Sequence, residues 1–298
     1  MTVLCFGEAI VDLVCEKRAA RIDEADAFRP HFGGALANIA VAARRNGARV
    51  ALAGGAGDDE WGRWLRARLG DEGIDLSWFS LVDGLRTPIA FVTFDGDGEP
   101  VFQIYGEGIE ACVRSIADRL PAAIGGASAL VLGSNTLVGE PERALTLQAR
   151  RLADDAEVPV LFDPNLRAHR WGSLDVAIEL CRQLCEGTFC VRANADEARA
   201  ITGEDDPGRA AAELAALGAR IAVVTRGAGG AVMRGAAEAD ANGIEVEVVS
   251  PLGAGDAFMG ALIAGLAAAE WEATRADEAL DDAVRAGARA CTQWGAIQ

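Results

Sequence analysis

Short apolar runs alternate with amphipathic stretches along most of the chain, and this alternation restricts the possible folds more than any other feature. It predicts an α/β protein with a mostly parallel sheet flanked by helices. The predicted core strands are Val3–Phe6, Val50–Gly54, Ala129–Gly133, Val158–Asp163, Thr188–Ala193 and Ile221–Thr225. The predicted helices are Ala37–Asn46, Glu60–Gly73, Glu140–Ala156, Leu174–Glu186, Asp196–Thr202, Pro207–Leu217, Asp256–Glu270 and Asp277–Trp294.

Two regions depart from this alternation. After the first strand, Val11–Glu16 and Ala27–Phe32 flank a polar loop, and further on Thr87–Thr93 and Glu99–Tyr105 flank the turn-forming segment Asp95–Gly98. These pieces predict a small β-sheet over one edge of the main layer. Such a sheet could close over a ligand and exclude water, or it could be a hairpin without a role.

Length and charge exclude several classes of protein. The 298 residues suffice for one large α/β core, and no apolar stretch is long enough for a transmembrane helix. A net charge of −17 disfavours nucleic acid and anionic membranes as partners. The apolar start of the chain shows no signal peptide, and seven cysteines without metal-site spacing suit reduced thiols. We therefore expect a cytoplasmic protein.

Lys17 is the only lysine, and it lies in neither a Walker A loop nor a protein-kinase strand. A protein of this composition must hold nucleotide phosphates with backbone amides, arginine and metal.

The most specific motif is Gly253-Ala254-Gly255-Asp256, which follows a predicted short strand, Val246–Val249, and opens a helix. The glycines allow a tight turn, and the amides at the helix N-terminus favour an anion. An aspartate in this position is also a common helix cap. The motif alone therefore does not indicate catalysis, and the interpretation depends on the other motifs of the chain.

A second glycine pair, Gly33-Gly34, leads into a helix that carries Asn38, and Asp12 follows the first strand. Close backbone approach, an amide and a carboxylate suit the binding of a small polyol. Tight helix packing and a surface turn are the alternatives.

Three further segments follow predicted strands, so they lie at the edge where open α/β sheets bind ligands. Arg167 ends the segment Asp163–Arg167 and could neutralise phosphoryl charge. Asn194 and Glu197 lie one helical turn apart and suit a hydrated Mg²⁺, while Thr225–Gly230 is a glycine-rich rim for a nucleotide.

Taken together, these ordered motifs resemble those of the PfkB, or ribokinase-like, carbohydrate kinases from about Val3 to Gln298. Gly7–Asp12 and Asp163–Arg167 are most similar to fructokinases. The resemblance implies a ribokinase-like three-layer Rossmann-type fold in one domain, residues 1–298, with a lid formed by about 11–32 and 87–106. It implies ATP-dependent phosphorylation of a primary sugar hydroxyl, most plausibly of fructose. Kinases of 2-keto-3-deoxygluconate, ribose or nucleosides are the nearest alternatives.

The resemblance also implies a role for each motif residue. The expected catalytic residues are Asp256, the anion-hole residues Gly253, Ala254 and Gly255, and Arg167. The expected substrate-binding residues are Asp12, Gly33, Gly34, Asn38 and Asp256. The expected ATP-binding residues are Asn194, Thr225, Gly227, Gly230, Gly253 and Gly255. The expected Mg²⁺ residues are Glu197 and Asn194. The edges of such a lid favour a homodimer.

The chain departs from the family pattern in two places. Ser250 and Pro251 stand where the family usually has an aspartate and a threonine, which weakens the case for K⁺ activation. Gly106-Glu107 follows Tyr105 where many relatives carry an arginine, which favours a neutral sugar over a carboxylate-bearing one and also weakens the fructose assignment.

Two other functional classes compete with a kinase. A sugar sensor without catalysis could use the same scaffold. A dinucleotide-dependent oxidoreductase is disfavoured because Gly7-Glu8-Ala9 does not form the expected G-x-G-x-x-G motif.

Overall fold

The structure, a computed structural model, describes residues 2–17, 19–96, 98–105 and 108–297. Its strands are β1 Val3–Phe6, β2 Ile10–Val14, β3 Arg29–Gly33, β4 Val50–Gly57, β5 Phe79–Val82, β6 Ile89–Phe94, β7 Pro100–Tyr105, β8 Ala129–Gly133, β9 Val160–Asp163, β10 Cys190–Asn194, β11 Ile221–Thr225, β12 Ala231–Gly235 and β13 Ala239–Ala241. Its α-helices are α1 Ala35–Arg45, α2 Glu60–Asp71, α3 Ile109–Arg114, α4 Leu120–Gly125, α5 Glu140–Asp155, α6 Leu174–Cys185, α7 Ala195–Thr202, α8 Pro207–Ala216, α9 Ala254–Ala268 and α10 Leu280–Ala290.

The large sheet has nine strands in the order β13-β12-β11-β10-β9-β8-β1-β4-β5. Its strands are parallel from β11 to β5, and β12 and β13 add antiparallel strands at one edge. From β1 the chain continues to β4 on one side and later to β8 on the other. The order therefore reverses at β1, and such a switch point opens a crevice at the carboxyl ends of the strands.

A second sheet has the order β3-β2-β6-β7, so the small sheet that the sequence predicts is present. Strand β2 pairs antiparallel with β3 and parallel with β6, and β6 pairs antiparallel with β7. The amide of Asp95 donates to the carbonyl of Glu99 where β6 turns into β7. Within the predicted turn, Asp97 lies outside the described residues, as does the Gly106-Glu107 departure.

Close packing of α1 on α9 sets the position of the site. A Cβ on Gly260 of α9 would lie 2.4 Å from the Cβ of Ala42 on α1, so only glycine permits this approach. Helix α9 is buried on almost all sides, as its apolar composition requires. The contact places the start of α9 beside the first turns of α1.

Two predicted elements need correction. Residues 242–250 form no strand, although Val246–Val249 alternates as a strand would. The amides of Val249 and Ser250 donate instead to the carbonyl of Cys291, at 2.8 and 3.2 Å, so the segment lies along the C-terminal turn and not on a sheet edge. The predicted helix Asp277–Trp294 is shorter in the structure, because a 3₁₀ turn spans Ala273–Ala279 and α10 covers only Leu280–Ala290.

The predicted thiols are free, and six of the seven are buried. Throughout the described part of the chain, no helix has both the length and the apolarity needed to cross a bilayer.

Candidate active site

A cavity of about 260 Å³ lies where the small sheet covers the carboxyl ends of the large sheet. Of the residues predicted from the sequence, it is lined by Asp12, Gly34, Asn38, Arg167, Asn194, Glu197, Gly253, Gly255 and Asp256. The small sheet contributes Pro100, Phe102 and Ile104 to its wall. The structure therefore brings together residues that are up to 244 positions apart, counted from Asp12 to Asp256.

Asp256 lies in the first turn of α9. The conformation of the residue that precedes this helix requires glycine. Gly253 has φ +78°, and a Cβ there would lie 2.4 Å from the Cα of Ala296. The Nδ2 atom of Asn38 donates to Asp256 Oδ2 at 2.9 Å, and Nδ2 of Asn165 donates to Oδ1 at 3.3 Å. Both contacts hold the carboxylate at the cavity wall.

Burial raises the pKa of Asp256 to about 6, and the hydrogen bond from Asn38 and the charges of Arg167 and Arg192 limit this rise. A carboxyl group with such a pKa is mostly ionised at neutral pH yet more basic than an exposed aspartate. It can accept a proton from an alcohol that acts as a nucleophile.

Asp12, in β2, is the second buried carboxylate of the cavity. Burial raises its pKa well above the usual range, the charge of Asp256 adds to this, and the charge of Arg167 opposes it. Gly33 does not line the cavity but supports Asp12 from the next strand. A Cβ on Gly33 would lie 2.3 Å from Asp12 Oδ1, so the carboxylate occupies the space that any other residue would need.

Three buried oxygen atoms of the cavity wall have no hydrogen-bond partner among the residues that the structure describes: Glu8 Oε2, Asp12 Oδ1 and Asn38 Oδ1. Burying such acceptors without a donor costs about 1–3 kcal/mol each. A ligand with several hydroxyl groups would supply the missing donors. The cavity therefore has the chemistry of a polyol site.

Arg167 also faces this cavity. Its guanidinium lies 5.3 Å from the ring centre of Phe102 in β7, a cation–π contact between the large-sheet edge and the small sheet. This contact holds a positive charge near Asp12 and Asp256.

A second, larger cavity of about 660 Å³ adjoins the first, and the two share Arg192, Asn194, Pro251, Gly255 and Glu99. Of the predicted ATP-binding residues, it is lined by Asn194, Thr225, Gly227, Gly230 and Gly255, together with Ala254. Gly253 lines the first cavity only. Two adjoining cavities with Gly255 between them suit two substrates that exchange a group.

Gly230 has φ +84°, and a Cβ there would lie 2.1 Å from the carbonyl oxygen of Ala241. This position of the rim therefore requires glycine, because the backbone of 241–243 packs directly against it.

Asn194 and Glu197 form a capping box at the start of α7. Glu197 Oε2 accepts from the Asn194 amide at 2.9 Å, Oε1 accepts from the Leu166 amide at 2.8 Å, and Asn194 Oδ1 accepts from the Glu197 amide. Among the described residues there is no group of three or more side chains that could ligate a metal. The pair therefore suits contact with the waters of a hydrated Mg²⁺ whose inner ligands come from phosphate.

The sequence analysis missed Arg192, a charged residue within the apolar strand β10. Its Nη1 lies 3.2 Å from Asp163 Oδ2, and its Nη2 donates to Thr225 Oγ1 at 2.8 Å. It lines both cavities. The charge of Arg192 between the apolar residues Val191 and Ala193 could have revealed it in the sequence. A buried arginine needs polar partners, and here they had to come from neighbouring strands at the same edge of the sheet.

Asn165 was also missed, although it belongs to a segment that the sequence analysis singled out. Its φ of +41° is unusual for a residue other than glycine, and its side chain contacts Asp256. Strained backbone of this kind collects at functional sites.

Comparison with known proteins identifies the family of this chain. The family model for pfkB family carbohydrate kinases matches residues 1–298. Fructokinase-1 of Oryza sativa subsp. japonica is 33% identical over 307 residues, which cover 99% of this chain and 93% of the rice protein. Fructokinase-1 of Zea mays is 35% identical over 271 residues, or 88% and 81% of the two chains.

Solved structures share the whole fold. Aminoimidazole riboside kinase from Salmonella enterica, complexed with aminoimidazole riboside and an ATP analogue, has a TM-score of 0.83 at 28% identity and covers 100% of this chain and 96% of that one. A fructokinase double mutant from Vibrio cholerae O395, in its fructose, ADP and potassium ion bound form, has a TM-score of 0.83 at 27% identity, with coverage of 100% and 94%. The ribokinase-like α/β fold expected from the sequence is confirmed. The chain belongs to the pfkB family of carbohydrate kinases and is a sugar kinase.

Proposed function

We propose that this kinase transfers the γ-phosphoryl group of ATP to a primary hydroxyl of fructose, with Asp256 as the general base. The observation that carries the proposal is the position of Asp256 in the polyol cavity, directly after Gly255, which both cavities share. A sugar in the first cavity and ATP in the second would meet at this point. The fructokinase relatives, at 33% and 35% identity, support fructose as the sugar.

In this mechanism Asp256 accepts the proton of the attacking hydroxyl as the oxygen approaches the γ-phosphorus in line. Asn38 and Asn165 hold its two oxygens in place. Asp12, Gly34 and Asn38 orient the sugar by contacting its hydroxyl groups.

Charge on the transferring phosphoryl group is stabilised by the start of α9. The first amides of a helix have no intrahelical acceptor, and here they belong to the segment Gly253–Asp256. The amide of Ala254 donates to the carbonyl of Pro251 at 3.2 Å, so we assign the phosphoryl oxygens to the amides of Gly255 and Asp256. Arg192 and Arg167 line the same cavity and add positive charge. Preorganised donors of this kind stabilise the transition state more than the ground state.

Mg²⁺, when bound to ATP, neutralises phosphate charge. Asn194 and Glu197 would hold it through its water ligands, because both carboxylate oxygens of Glu197 already accept one amide each.

Potassium fits this chain poorly. Ser250 is fully buried, and its Oγ accepts from the Leu252 amide at 3.2 Å. The segment therefore offers no carboxylate to a cation where the family usually has one. The proposed reaction does not depend on K⁺.

The small sheet acts in this proposal as a lid on the sugar, through Phe102 and Ile104. Its edge strands, β3 and β7, remain free to pair with a second copy, and Val101 and Tyr105 of β7 are exposed. A homodimer through the lid stays a prediction.

The test is a coupled assay of ADP release with fructose, ribose, 2-keto-3-deoxygluconate, adenosine, inosine and inositol. We expect the highest kcat/KM with fructose, and loss of about 10² or more in kcat for Asp256→Asn with sugar binding retained. Preference for another acceptor would reassign the substrate. No turnover of any acceptor, despite sugar binding, would identify a silent sensor instead.

A further inference from the structure

Glu8 is a further carboxylate in the sugar cavity, and the sequence analysis gave it no role. It follows β1 at the switch point of the large sheet, and only 2% of its surface is exposed. Its Oε1 accepts from Asn135 Nδ2 at 3.0 Å, and its Oε2 has no partner within the described part of the chain. A buried charged oxygen without a donor points to a ligand that supplies one.

Glu8 belongs to a chain of polar contacts that crosses the cavity wall. Asn135, which follows β8, donates to Glu8 and accepts from Arg170 Nη1 at 3.1 Å. Arg170, which follows β9, lines the same cavity. Asn135 therefore orients Glu8 and also keeps the charge of Arg170 close to a carboxylate.

The electrostatic effect of Glu8 reaches the two aspartates of the cavity. Burial is the main reason why the pKa values of Asp12 and Asp256 are raised, and the charge of Glu8 adds to the rise in both. Glu8, Asp12 and Asp256 are thus electrostatically coupled, and their charges disfavour an anion on their side of the cavity, although Arg167, Arg170 and Arg192 also line it. Without Glu8, the charges of Arg167 and Arg170 would be less opposed.

We infer that Glu8 is a specificity-determining residue that accepts a substrate hydroxyl and excludes acceptors carrying a carboxylate. The inference rests on the proposed function, since it concerns the acceptor of the same cavity. The acceptor class that fits is an uncharged polyhydroxy compound. A sugar acid whose carboxylate faces Glu8 would be repelled by its charge and would offer Oε2 no donor.

The test uses titration calorimetry on the nucleotide-free protein, with fructose and 2-keto-3-deoxygluconate as ligands. In Glu8→Gln, which keeps the shape, we expect fructose to bind more weakly and the keto acid to bind more tightly. The ratio of their Kd values should shift toward the acid by about 10-fold or more, because a hydrogen bond to a charged group and a repulsion are both lost.

Two further variants separate this role from a general effect on folding. Glu142→Gln is the matched control, because Glu142 is also buried, also has an unpartnered Oε2, and lies outside this cavity. It should leave the Kd ratio unchanged. Asn135→Ala should weaken fructose binding but keep the rejection of the acid, since the charge of Glu8 remains.

An unchanged Kd ratio in Glu8→Gln, or a wild-type protein that prefers the keto acid, would overturn the inference. ADP release measured on the same proteins tests the kinase proposal separately. Selective binding that depends on Glu8, without ADP release, would leave the specificity role standing and remove the proposed reaction.

Discussion

The hydrogen bond from Asn38 to Asp256 makes a prediction about the pH dependence of the reaction. The base must be ionised to act, so kcat/KM for the sugar should fall below a pH of about 6, the pKa of Asp256 in the free protein. The Nδ2 atom of Asn38, 2.9 Å from Oδ2, stabilises the ionised form. Replacing Asn38 by leucine, of similar size, should therefore raise this pKa.

The size of the shift follows from the kind of contact. A hydrogen bond to a charged group contributes about 1.5–3 kcal/mol, and one pKa unit corresponds to about 1.4 kcal/mol. Loss of the bond should move the acidic limb upward by about 1 to 2 pH units. Burial keeps water from replacing the donor beside a leucine, because Asn38 is only 4% exposed.

The assay measures kcat/KM for fructose from about pH 5 to about pH 9. This range covers the acidic limb of the wild-type protein and its expected shift in the variant. Asn38 is also proposed to bind the sugar, so the plateau should drop, but the position of the limb reports the pKa. Asn46→Ala, at the far end of α1, is the control, because Asn46 bonds only to the carbonyl of Ala42 among its described partners. This variant should leave the plateau of kcat/KM and the position of the acidic limb unchanged.

An acidic limb that stays at the same pH in Asn38→Leu would refute the assignment of that limb to Asp256. A limb that moves to lower pH would contradict the sign of the argument.

Three further predictions concern single positions. Burial raises the pKa of Asp256 from 3.8 to about 6, so this carboxyl destabilises the fold as pH rises through that window. Asp256→Asn should be more stable at pH 8 by up to about 3 kcal/mol, with the gain lost near pH 4, as thermal unfolding would show. Gly33→Ala should displace Asp12 and lower kcat/KM for the sugar by about 10²-fold without changing the KM for ATP, whereas Gly172→Ala, which has open space, should do neither. Exchange of K⁺ for tetramethylammonium should not change the turnover or the Tm of the wild-type protein. In Ser250→Asp, K⁺ should raise the Tm by pairing with the buried charge. A change of turnover or Tm in the wild-type protein would contradict the proposal that its reaction does not depend on K⁺.

Several features of this protein could be predicted from the sequence because they depend on local chemistry. The parallel strands follow from apolar runs between helical stretches, and the start of α9 follows from the glycines at Gly253 and Gly255. Asn194 and Glu197 form the capping box that their spacing allows. Placement of these segments after strands was enough to predict that they share one edge of the sheet.

The alternation of apolar and polar residues was misleading where the pairing of strands decides whether a segment becomes a strand. Val246–Val249 alternates like a strand, yet the amide of Val249 donates to the C-terminal turn. A strand exists only where a neighbouring strand offers its own amides and carbonyls, and that partner is not encoded in the segment itself.

The substrate cavity was decided by tertiary structure. Glu8, Asn135 and Arg170 follow β1, β8 and β9, three strands that are distant in the chain and adjacent in the sheet. The sequence alone determined that polar residues end these strands. Only the strand order brought their side chains into contact, because hydrogen bonds and charge interactions act over a few ångströms in space and take no account of separation along the chain.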